Sequence, residues 1–573
     1  MPEHASPPEH AWPSDRRVFT LALAGMICAK FVLMFLGAGN PQNPLDFLRP
    51  VDDAYISYRY AENLAHGFGL EYNPGERVEG GTSVALIALL APFSLAGIRR
   101  IDFVAVVLSL LAGAGTVTLA SRYLRERTTG PIGRAEAFVL AFLTLSTCVL
   151  VWAWAGMETS IFALVWLAGA LRHLRESERE EWPWASALLT VAAGLLHPDG
   201  VLLAPVLGLS WLFPFTKARA IRGVAYGAIV VGVFGAYWLA RWSYFGYPMP
   251  NTFYAKVGSG ADLFRAGFIY VRVAVFSTLV PLVTAYYAIR TIKGWRSWPR
   301  EVAIFLGAAT IYVLYVMKVG GDFYPFHRFF LAALMLLTLA GWRLRGITRA
   351  TPESPATRRT WALVILAVAL MNIWSFFYTF QGLIHRDLQR VVRNFAATGN
   401  AMRDAMPENT TVATLPIGAL GFFSKLRIHD MMGLVDLHIA RLPRDATRGV
   451  VGHEKFDHAY TLSKRPEAIV VLPSLYSDDA AGYEKWLNEN ALAPSQYRIY
   501  EQAALREEYR LVKLPVRRNL VAYGFLRREL VGAPGYEKWI AMSDADHEAA
   551  FTTPSRAKAH PLHGKSFGIW TFK

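Results

Sequence analysis

The chain has 573 residues, of which 53% are hydrophobic, and a formal net charge of +15. Before about residue 380 its apolar residues form runs long enough for helices that cross a ~30 Å hydrocarbon core, which excludes a string of soluble domains. The basic residues lie mostly in short loops between these runs and form no stripe with interleaved aromatic residues, so we predict no nucleic-acid partner.

Eleven apolar runs are predicted as transmembrane helices: 18–38, 102–120, 136–151, 160–171, 185–196, 201–213, 223–240, 264–289, 302–316, 329–342 and 361–380. A twelfth run, 83–97, is short and ambiguous. If it lies along the outer surface, the inner loops hold 21 basic residues and the outer loops nine, whereas a crossing would invert this positive-inside bias. We therefore predict a cytoplasmic tail at 1–17, a transmembrane region at 18–380 and a large first outer loop at 39–101.

The region 385–573 is predicted to be an extracytoplasmic α/β domain. The segments TVATLPI, EAIVVLP, YRLVKLP and LVAYGFL are typical of short strands, and HRDLQRVVRNFAATGNAMRDAM is typical of an amphipathic helix. The two cysteines, Cys28 and Cys148, lie inside apolar runs, which excludes a disulfide framework. The His and Asp spacing in KLRIHDMMGLVDLHIAR matches no zinc pattern, and we predict no metal site.

An acidic pair, Asp52 and Asp53, begins a predicted helix that runs to His66 at the membrane edge. One interpretation is that Asp52 only caps this helix. The other is that Asp52 and Arg59, two helical turns apart on one face, address the hydroxyl and the phosphate of one ligand. A carboxylate in that position is suited to general base chemistry.

Further polar residues lie in the loops predicted to be outside. Each has a plainer interpretation: a surface ion pair, the complement of a helix N-terminus, a tight hairpin, or a cation that meets lipid headgroups. Because several loops present such groups on the same face as the acidic pair, we take them as candidate substrate-binding residues: Glu79, Glu158, His197, Asp199, Asn251, Tyr254, Lys256, Asp322, His327 and Arg328.

Six strings occur together and in order: DDAYISYRYAENLAHGFGLEYNPGERVEG, GMET, HPDG, PNTFYAKVG, VGGDFYPFHRF and DMMGLVDLHIAR. With them the chain resembles the C-type (GT-C) membrane glycosyltransferases, and most of all the mycobacterial terminal β-(1→2) arabinofuranosyltransferases and their bacterial relatives. The resemblance covers about residues 50–455. It implies a polytopic α-helical GT-C fold of about eleven transmembrane helices in the bacterial cytoplasmic membrane, with the active site on the extracytoplasmic side.

The resemblance also implies a reaction. A polyprenyl-phosphate sugar, decaprenylphosphoryl-arabinofuranose in the arabinosyl branch, would donate its sugar with inversion to a hydroxyl of a cell-envelope polysaccharide or glycolipid. Asp52 would be the general base, and the phosphate cradle would consist of Arg59, Lys256, His327 and Arg328. Asp53, Glu158, His197 and Asp199 would orient sugar or acceptor. Gly81 and His197 depart from the residues more usual in the family, and metal dependence stays open.

Two other classes of function remain as alternatives. A transporter or flippase for lipid-linked sugars would be expected to show repeat symmetry and polar residues at mid-membrane, and neither pattern stands out in the sequence. A non-catalytic scaffold for wall assembly would depend mainly on the C-terminal domain.

Overall fold

The structure, a computed structural model, describes residues 12–37, 49–256, 261–322, 324–348, parts of 363–374, 380–444, 454–559, 565–567 and 570–572. The start of the predicted cytoplasmic tail and most of the predicted helix at 361–380 lie outside the described residues. The described part before residue 350 is helical throughout, with several strongly apolar helices.

The helices of this first part follow the apolar runs of the sequence. They are α1 (Asp15–Gly37), α2 (Ala54–Ala65), α3 (Val84–Leu95), α4 (Ile101–Arg127), α5 (Arg134–Leu145), α6 (Thr147–Ala153), α7 (Thr159–Glu178), α8 (Trp184–Leu196), α9 (Leu203–Ser210), α10 (Lys217–Phe245), α11 (Asn251–Lys256), α12 (Ala261–Thr278), α13 (Val280–Thr291), α14 (Arg300–Val319) and α15 (Leu331–Ile347). Short 3₁₀ turns at Pro198–Leu202, Ile292–Ser297 and Arg328–Phe330 extend α9, α13 and α15.

Among the described residues, four continuous helical segments have the length and composition to cross a membrane: Ile101–Arg127, Lys217–Phe245, Arg300–Val319 and Arg328–Ile347. Two bent pairs, α5 with α6 and α12 with α13, raise this number to six if each pair is one crossing. The predicted count of eleven therefore stays a prediction. Helix α3 has 12 residues, so at about 1.5 Å per residue it is too short to cross a hydrocarbon core.

The predicted span at 264–289 is broken, because α12 and α13 meet at an angle of 84°. Leu279 lies between them with a φ of +59°, and Pro281 is in the first turn of α13. Proline has no amide hydrogen to donate to the preceding turn, so it ends one helix and begins the next.

Helix α15 lies at the centre of the helical region and α10 at its edge. In the most apolar 18-residue stretch of each helix, 72% of the residues are buried in the α15 segment but only 11% in α10. The exposed face of α10 carries Val224, Val231 and Leu239. Large apolar side chains exposed along a helix of membrane-spanning length are expected to contact lipid.

The region after residue 380 combines short helices with a sheet. Its helices are α16 (Phe380–Arg403), α17 (Gly418–Ser424), α18 (Leu437–Ala440), α19 (His458–Ser463), α20 (Ala480–Asn490), α21 (Pro494–Tyr497), α22 (Ala503–Glu508), α23 (Asp544–Ala550) and α24 (Thr553–Ala559). Its strands are β1 (Thr411–Thr414), β2 (Arg427–Asp430), β3 (Ala468–Ile469), β4 (Tyr476–Ser477), β5 (Tyr509–Arg517), β6 (Leu520–Arg527), β7 (Ile540–Ala541), β8 (Lys565–Phe567) and β9 (Trp570–Phe572).

The main sheet has the order β2-β1-β3-β6-β5-β7, with β4 paired to β6. Strand β1 is parallel to β2 and β3, whereas β6 is antiparallel to β3, β4 and β5. Strands β1, β3, β5 and β6 lie in the four segments that the sequence predicts as strands. The hairpin of β5 and β6 is joined by Arg518 and Asn519, and Asn519 has the positive φ that such tight turns need.

Helix α2 joins the two regions. Its residues from Ala54 to Ala61 are all buried, and it packs against α3 on one side and α17 on the other. It ends where the sequence predicts, since Gly67 follows with a φ of +84°. The acidic pair at its start is therefore placed where the helical region meets the C-terminal region.

Candidate active site

A cavity of about 380 Å³ lies at the start of α2. Its walls come from seven segments that are distant in the sequence. The residues that line it include Asp53, Ser57, Gly80, Gly81, Thr82, Ser83, Met157, Glu158, His197, Asp199, Met249, Phe253, Lys256, Tyr315, Asp322, Arg328, Phe329 and Leu434. Most of the wall is apolar, with a few charged groups that converge, which is typical of a ligand site.

Asp53 is the member of the acidic pair that lines this cavity. It occupies the N-cap position of α2 but makes no side-chain capping bond to the helix. Its carboxylate lies 3.8 Å from Nζ of Lys256, and its amide donates to the hydroxyl of Tyr324 at 3.3 Å. Both charged side chains keep a quarter to a third of their surface exposed, so a ligand can reach them.

Asp52, the base that the family resemblance implies, contacts the C-terminal region, and its catalytic role stays a prediction. Its Oδ1 accepts a hydrogen bond from the amide of Ala419 in α17 at 2.8 Å, and it is not among the residues that line the cavity. Burial raises the pKa of Asp52 to about 7, even though the amides of Ala419 and Gly418 counteract the shift. It also does not cap its own helix.

Glu158, His197 and Asp199 meet on another wall of the cavity. Nδ1 of His197 lies 2.6 Å from Oδ1 of Asp199, and Tyr312 donates to Oδ2 of Asp199 at 3.1 Å. Burial acts to lower the pKa of His197, but Asp199 and then Glu158 outweigh it and raise the pKa. Glu158 is buried at the start of α7 without a side-chain capping bond.

The position of Gly200, the glycine of the HPDG string, leaves no room for a side chain. A Cβ on Gly200 would lie 2.3 Å from the carbonyl carbon of Ala193, so the turn after His197 closes only without a side chain there. This tight turn brings His197 and Asp199 to the same wall.

Arg328 and Asp322 form a buried ion pair in the cavity wall. Nε of Arg328 lies 2.5 Å from Oδ2 and Nη2 lies 3.2 Å from Oδ1, while the guanidinium also stacks on the ring of Phe329 at 4.8 Å. His327 is not in the cavity: its ring packs 5.1 Å from that of Tyr270, and burial lowers its pKa to about 3. His327 thus lies outside the cavity that Lys256 and Arg328 line, and its part in the phosphate cradle stays a prediction.

Arg59 does not reach the cavity either. Its guanidinium is buried and donates to the carbonyls of Tyr72, Gly421 and Leu426 and to the side chain of Asn73. The face that Arg59 shares with Asp52 is covered by the C-terminal region. Arg59 therefore lies outside the cavity in this structure, and its binding of a donor phosphate stays a prediction.

Glu79, Asn251 and Tyr254 also hold the fold together instead of lining the cavity. Glu79 is buried in a two-pronged ion pair with Arg241 of α10. The side-chain amide of Asn251 donates to the carbonyls of Gly433, Leu434 and Asp436, so it fixes the C-terminal region on the start of α11. The carbonyl of Tyr254 accepts from Lys455, and its ring lies under Arg441.

The sequence interpretation missed several cavity residues, among them Ser83 and Leu434. Ser83 is 3% exposed, and its hydroxyl has no hydrogen-bond partner among the residues that the structure describes. Leu434 brings the C-terminal region into the wall. Leu434 belongs to the string DMMGLVDLHIAR and Ser83 follows the first string by three residues, but neither has a titratable side chain to mark it. In the described part of the chain, no three His, Cys, Asp or Glu residues lie close enough to hold a metal ion.

The arrangement offers a carboxylate beside an ammonium group, a guanidinium held by a second carboxylate, and a His–Asp pair around one apolar cavity. Cations in such a site attract phosphate, while Asp53 is available to accept a proton. These groups occupy a cavity edged by helices that can cross a membrane.

Comparison with known proteins gives three sets of matches. Residues 383–523 match a family described as "Domain of unknown function (DUF8728)". Terminal β-(1→2)-arabinofuranosyltransferases of Mycobacterium tuberculosis and Corynebacterium glutamicum are 27% and 24% identical to this chain over 310 and 316 residues, which is 48% of this chain in each case. These stretches cover 49% and 44% of the two relatives, so the chain spans about half the length of the curated relatives it matches.

Two solved structures of the oligosaccharyltransferase of Archaeoglobus fulgidus also match at 12% identity. The apo form gives a TM-score of 0.48 over 96% of this chain and 79% of that one, and the form tethered to an acceptor peptide gives 0.45 over 95% and 78%. The two curated relatives confirm that this chain resembles the terminal β-(1→2)-arabinofuranosyltransferases, as its motifs predict.

Proposed function

We propose that the chain is an inverting GT-C glycosyltransferase that moves a sugar from a polyprenyl-phosphate donor to a hydroxyl of a cell-envelope glycan. The observation that carries the proposal is the cavity in which the carboxylate of Asp53 lies 3.8 Å from Nζ of Lys256. The names of the two relatives favour arabinofuranose as the sugar, from decaprenylphosphoryl-arabinofuranose.

The charge distribution of the loops supports a site on the outer face. Every cavity-lining loop before residue 380 belongs to the set with few basic residues. The positive-inside rule assigns that set to the extracytoplasmic side of a bacterial cytoplasmic membrane. A donor there carries its own energy in the bond between sugar and phosphate.

In the proposed step, Asp53 accepts the proton of the acceptor hydroxyl as its oxygen attacks the anomeric carbon. The new glycosidic bond forms while the bond from that carbon to the phosphate oxygen breaks, and the electron pair leaves with the polyprenyl phosphate. Lys256 and Arg328 stabilise the added negative charge. The family resemblance favours Asp52 as base, but the geometry of a candidate base is considered before its pKa, and Asp53 is the member of the acidic pair that lines the cavity.

The test is transfer from a synthetic polyprenyl-phosphate arabinofuranose to an arabinan oligosaccharide by the full chain in detergent. Asp53→Asn is expected to reduce turnover by ~10²–10⁴-fold with donor binding retained, because a positioned base contributes about that much. Lys256→Ala is expected to weaken donor binding. Asp404→Asn, at an exposed carboxylate, is the matched control.

Full turnover by Asp53→Asn would remove Asp53 as base. If the wild-type chain transfers no arabinose, a panel of other polyprenyl-phosphate sugars tests the class of reaction apart from the sugar. Movement of labelled donor across vesicles without any glycosidic product would favour the flippase alternative.

A further inference from the structure

Helix α17 has no capping side chain of its own. Ile417 occupies its N-cap position and has no polar group to offer. Asp52, 367 residues earlier in the chain, supplies the acceptor: its Oδ1 takes the amide of Ala419 at 2.8 Å. One orphan donor at the N-terminus of α17 is thus satisfied by the catalytic loop of the helical region.

The contact between these segments is close over the first turn of α17. A Cβ on Gly418 would lie 2.0 Å from the carbonyl oxygen of Asp52, and one on Gly421 would lie 1.9 Å from the hydroxyl of Tyr72. Arg59 adds a hydrogen bond to the carbonyl of Gly421 at 2.6 Å. Backbones that approach this closely move together, so the position of α17 and that of the loop at Asp52 are not independent.

The adjacent side chain, Asp53, faces the cavity instead of α17. It makes no capping bond to α2, so its own helix does not fix its direction. On the other side of the loop, Asp52 is bonded to α17.

We propose that Asp52 is a positioning residue that caps α17 and thereby holds the loop so that Asp53 points into the cavity. The inference rests on the proposed function. It assigns the C-terminal region a part in transfer, because displacement of α17 would turn the base away from the acceptor.

An asparagine fits the same role, since its side-chain oxygen accepts the same amide hydrogen bond. It is neutral, so it also cannot accept the substrate proton as a carboxylate does. Asp52→Asn and Asp52→Ala therefore separate a cap from a base.

The experiment compares Asp52→Asn, Asp52→Ala and Asp53→Asn in the full chain in nanodiscs. It measures kcat, the KM for donor and acceptor, and amide hydrogen exchange of the peptide around 415–424. Asp52→Ala is expected to speed exchange there by about 3- to 30-fold, as for loss of one N-cap, and to lower kcat. Asp52→Asn is expected to keep the exchange rate and the kcat of the wild-type chain, with the pH profile of kcat unchanged. Asp53→Asn is expected to lower kcat without any change in exchange.

A second variant tests the same proposal if Asp52→Ala does not fold. Gly418→Ala places a methyl group against the loop and is expected to lower kcat while Asp52 and Asp53 are both intact. Gly235→Ala, where a Cβ would meet nothing within 4 Å, is the matched control.

Three results would overturn the inference. They are unchanged exchange in Asp52→Ala, unchanged kcat in Gly418→Ala, and loss of kcat in Asp52→Asn with normal exchange, which would make Asp52 the proton acceptor. Failure of the proposed function is distinct: it would appear as no transfer by the wild-type chain, while the exchange data would still report on the cap.

Discussion

The side chains of Asp322 and Arg328 meet through two hydrogen bonds, of 2.5 and 3.2 Å, in the wall of the cavity. Both side chains are more than 90% buried, and five residues lie between them, of which Phe326 and His327 have positive φ values. A non-glycine backbone in that region is costly, so the pair helps to hold the turn that presents the guanidinium to the cavity.

Removal of one partner of this pair is expected to destabilise the chain. Asp322→Ala leaves a buried charge without its counterion, which typically costs about 3–5 kcal/mol. Thermal unfolding in detergent measures the effect. Asp404→Ala, which removes one partner of an exposed pair with Arg403, is expected to shift the unfolding temperature little, and equal shifts in the two variants would contradict the prediction.

Arg59→Met is expected to reduce stability without changing donor affinity. The substitution takes one donor from three buried carbonyls, of which those of Tyr72 and Gly421 keep a second donor in Asn63 and Lys425. The loss at Leu426 is expected to cost roughly 1–3 kcal/mol, the value for one unsatisfied group, while the cavity is untouched. Unfolding and donor titration on the same sample separate the two effects. Arg77→Met is the control, because the side chain of Arg77 is 65% exposed. A weaker donor affinity with normal stability would return Arg59 to the phosphate cradle.

Ser83→Ala is expected to make the chain more stable and less active. Its hydroxyl is buried without a partner among the described residues, and such a group costs about 1–3 kcal/mol until a ligand satisfies it. We expect kcat/KM to fall by about tenfold, the value of one hydrogen bond to substrate. Ser243→Ala, on the exposed face of α10, should change neither quantity. A variant that keeps full activity would show that the substrate does not contact this hydroxyl.

The His197–Asp199 pair is expected to set the alkaline side of the pH profile. Asp199 raises the pKa of His197, so the charged pair is fully formed below the ordinary imidazole pKa and is lost as the pH rises through the raised value. Glu158 and Arg328 also face the ring, with opposite effects on its charge.

Asp199→Asn removes the main stabilising charge and leaves burial, which lowers the pKa of His197. The alkaline limb of kcat/KM should then move to lower pH. The exposed pair of His438 and Asp457 provides the control, since Asp457→Asn should leave the limb in place. A limb that stays fixed in Asp199→Asn would assign it to another group.

The sequence predicts which loops build the site better than which side chains face it. Asp53, Lys256 and Arg328 come from three of the recognised strings and meet at one cavity. Helical spacing correctly places Asp52 and Arg59 on one face, but it cannot show that α17 covers that face. The covering helix lies more than 360 residues away, and its only mark in the sequence is a pair of glycines in PIGALG.

The parts of the fold that the sequence does not predict also depend on contacts between residues distant in the sequence. Strands β1, β3, β5 and β6 have apolar, β-branched segments that predict them, whereas the order of the sheet places β3 beside β6 and depends on contacts distant in sequence. The break at Leu279 was readable in principle, because Pro281 marks it. Apolar content across 264–289 hides the proline, since composition alone favours an uninterrupted helix.

Leu434 places part of the C-terminal region in the wall of the cavity at which we propose that transfer takes place. Under that proposal, a relative that kept the membrane helices and exchanged only its C-terminal region would present a different surface to the incoming hydroxyl. Acceptor choice in such chains would then diverge by recombination at one junction, while recognition of the lipid carrier would be inherited unchanged.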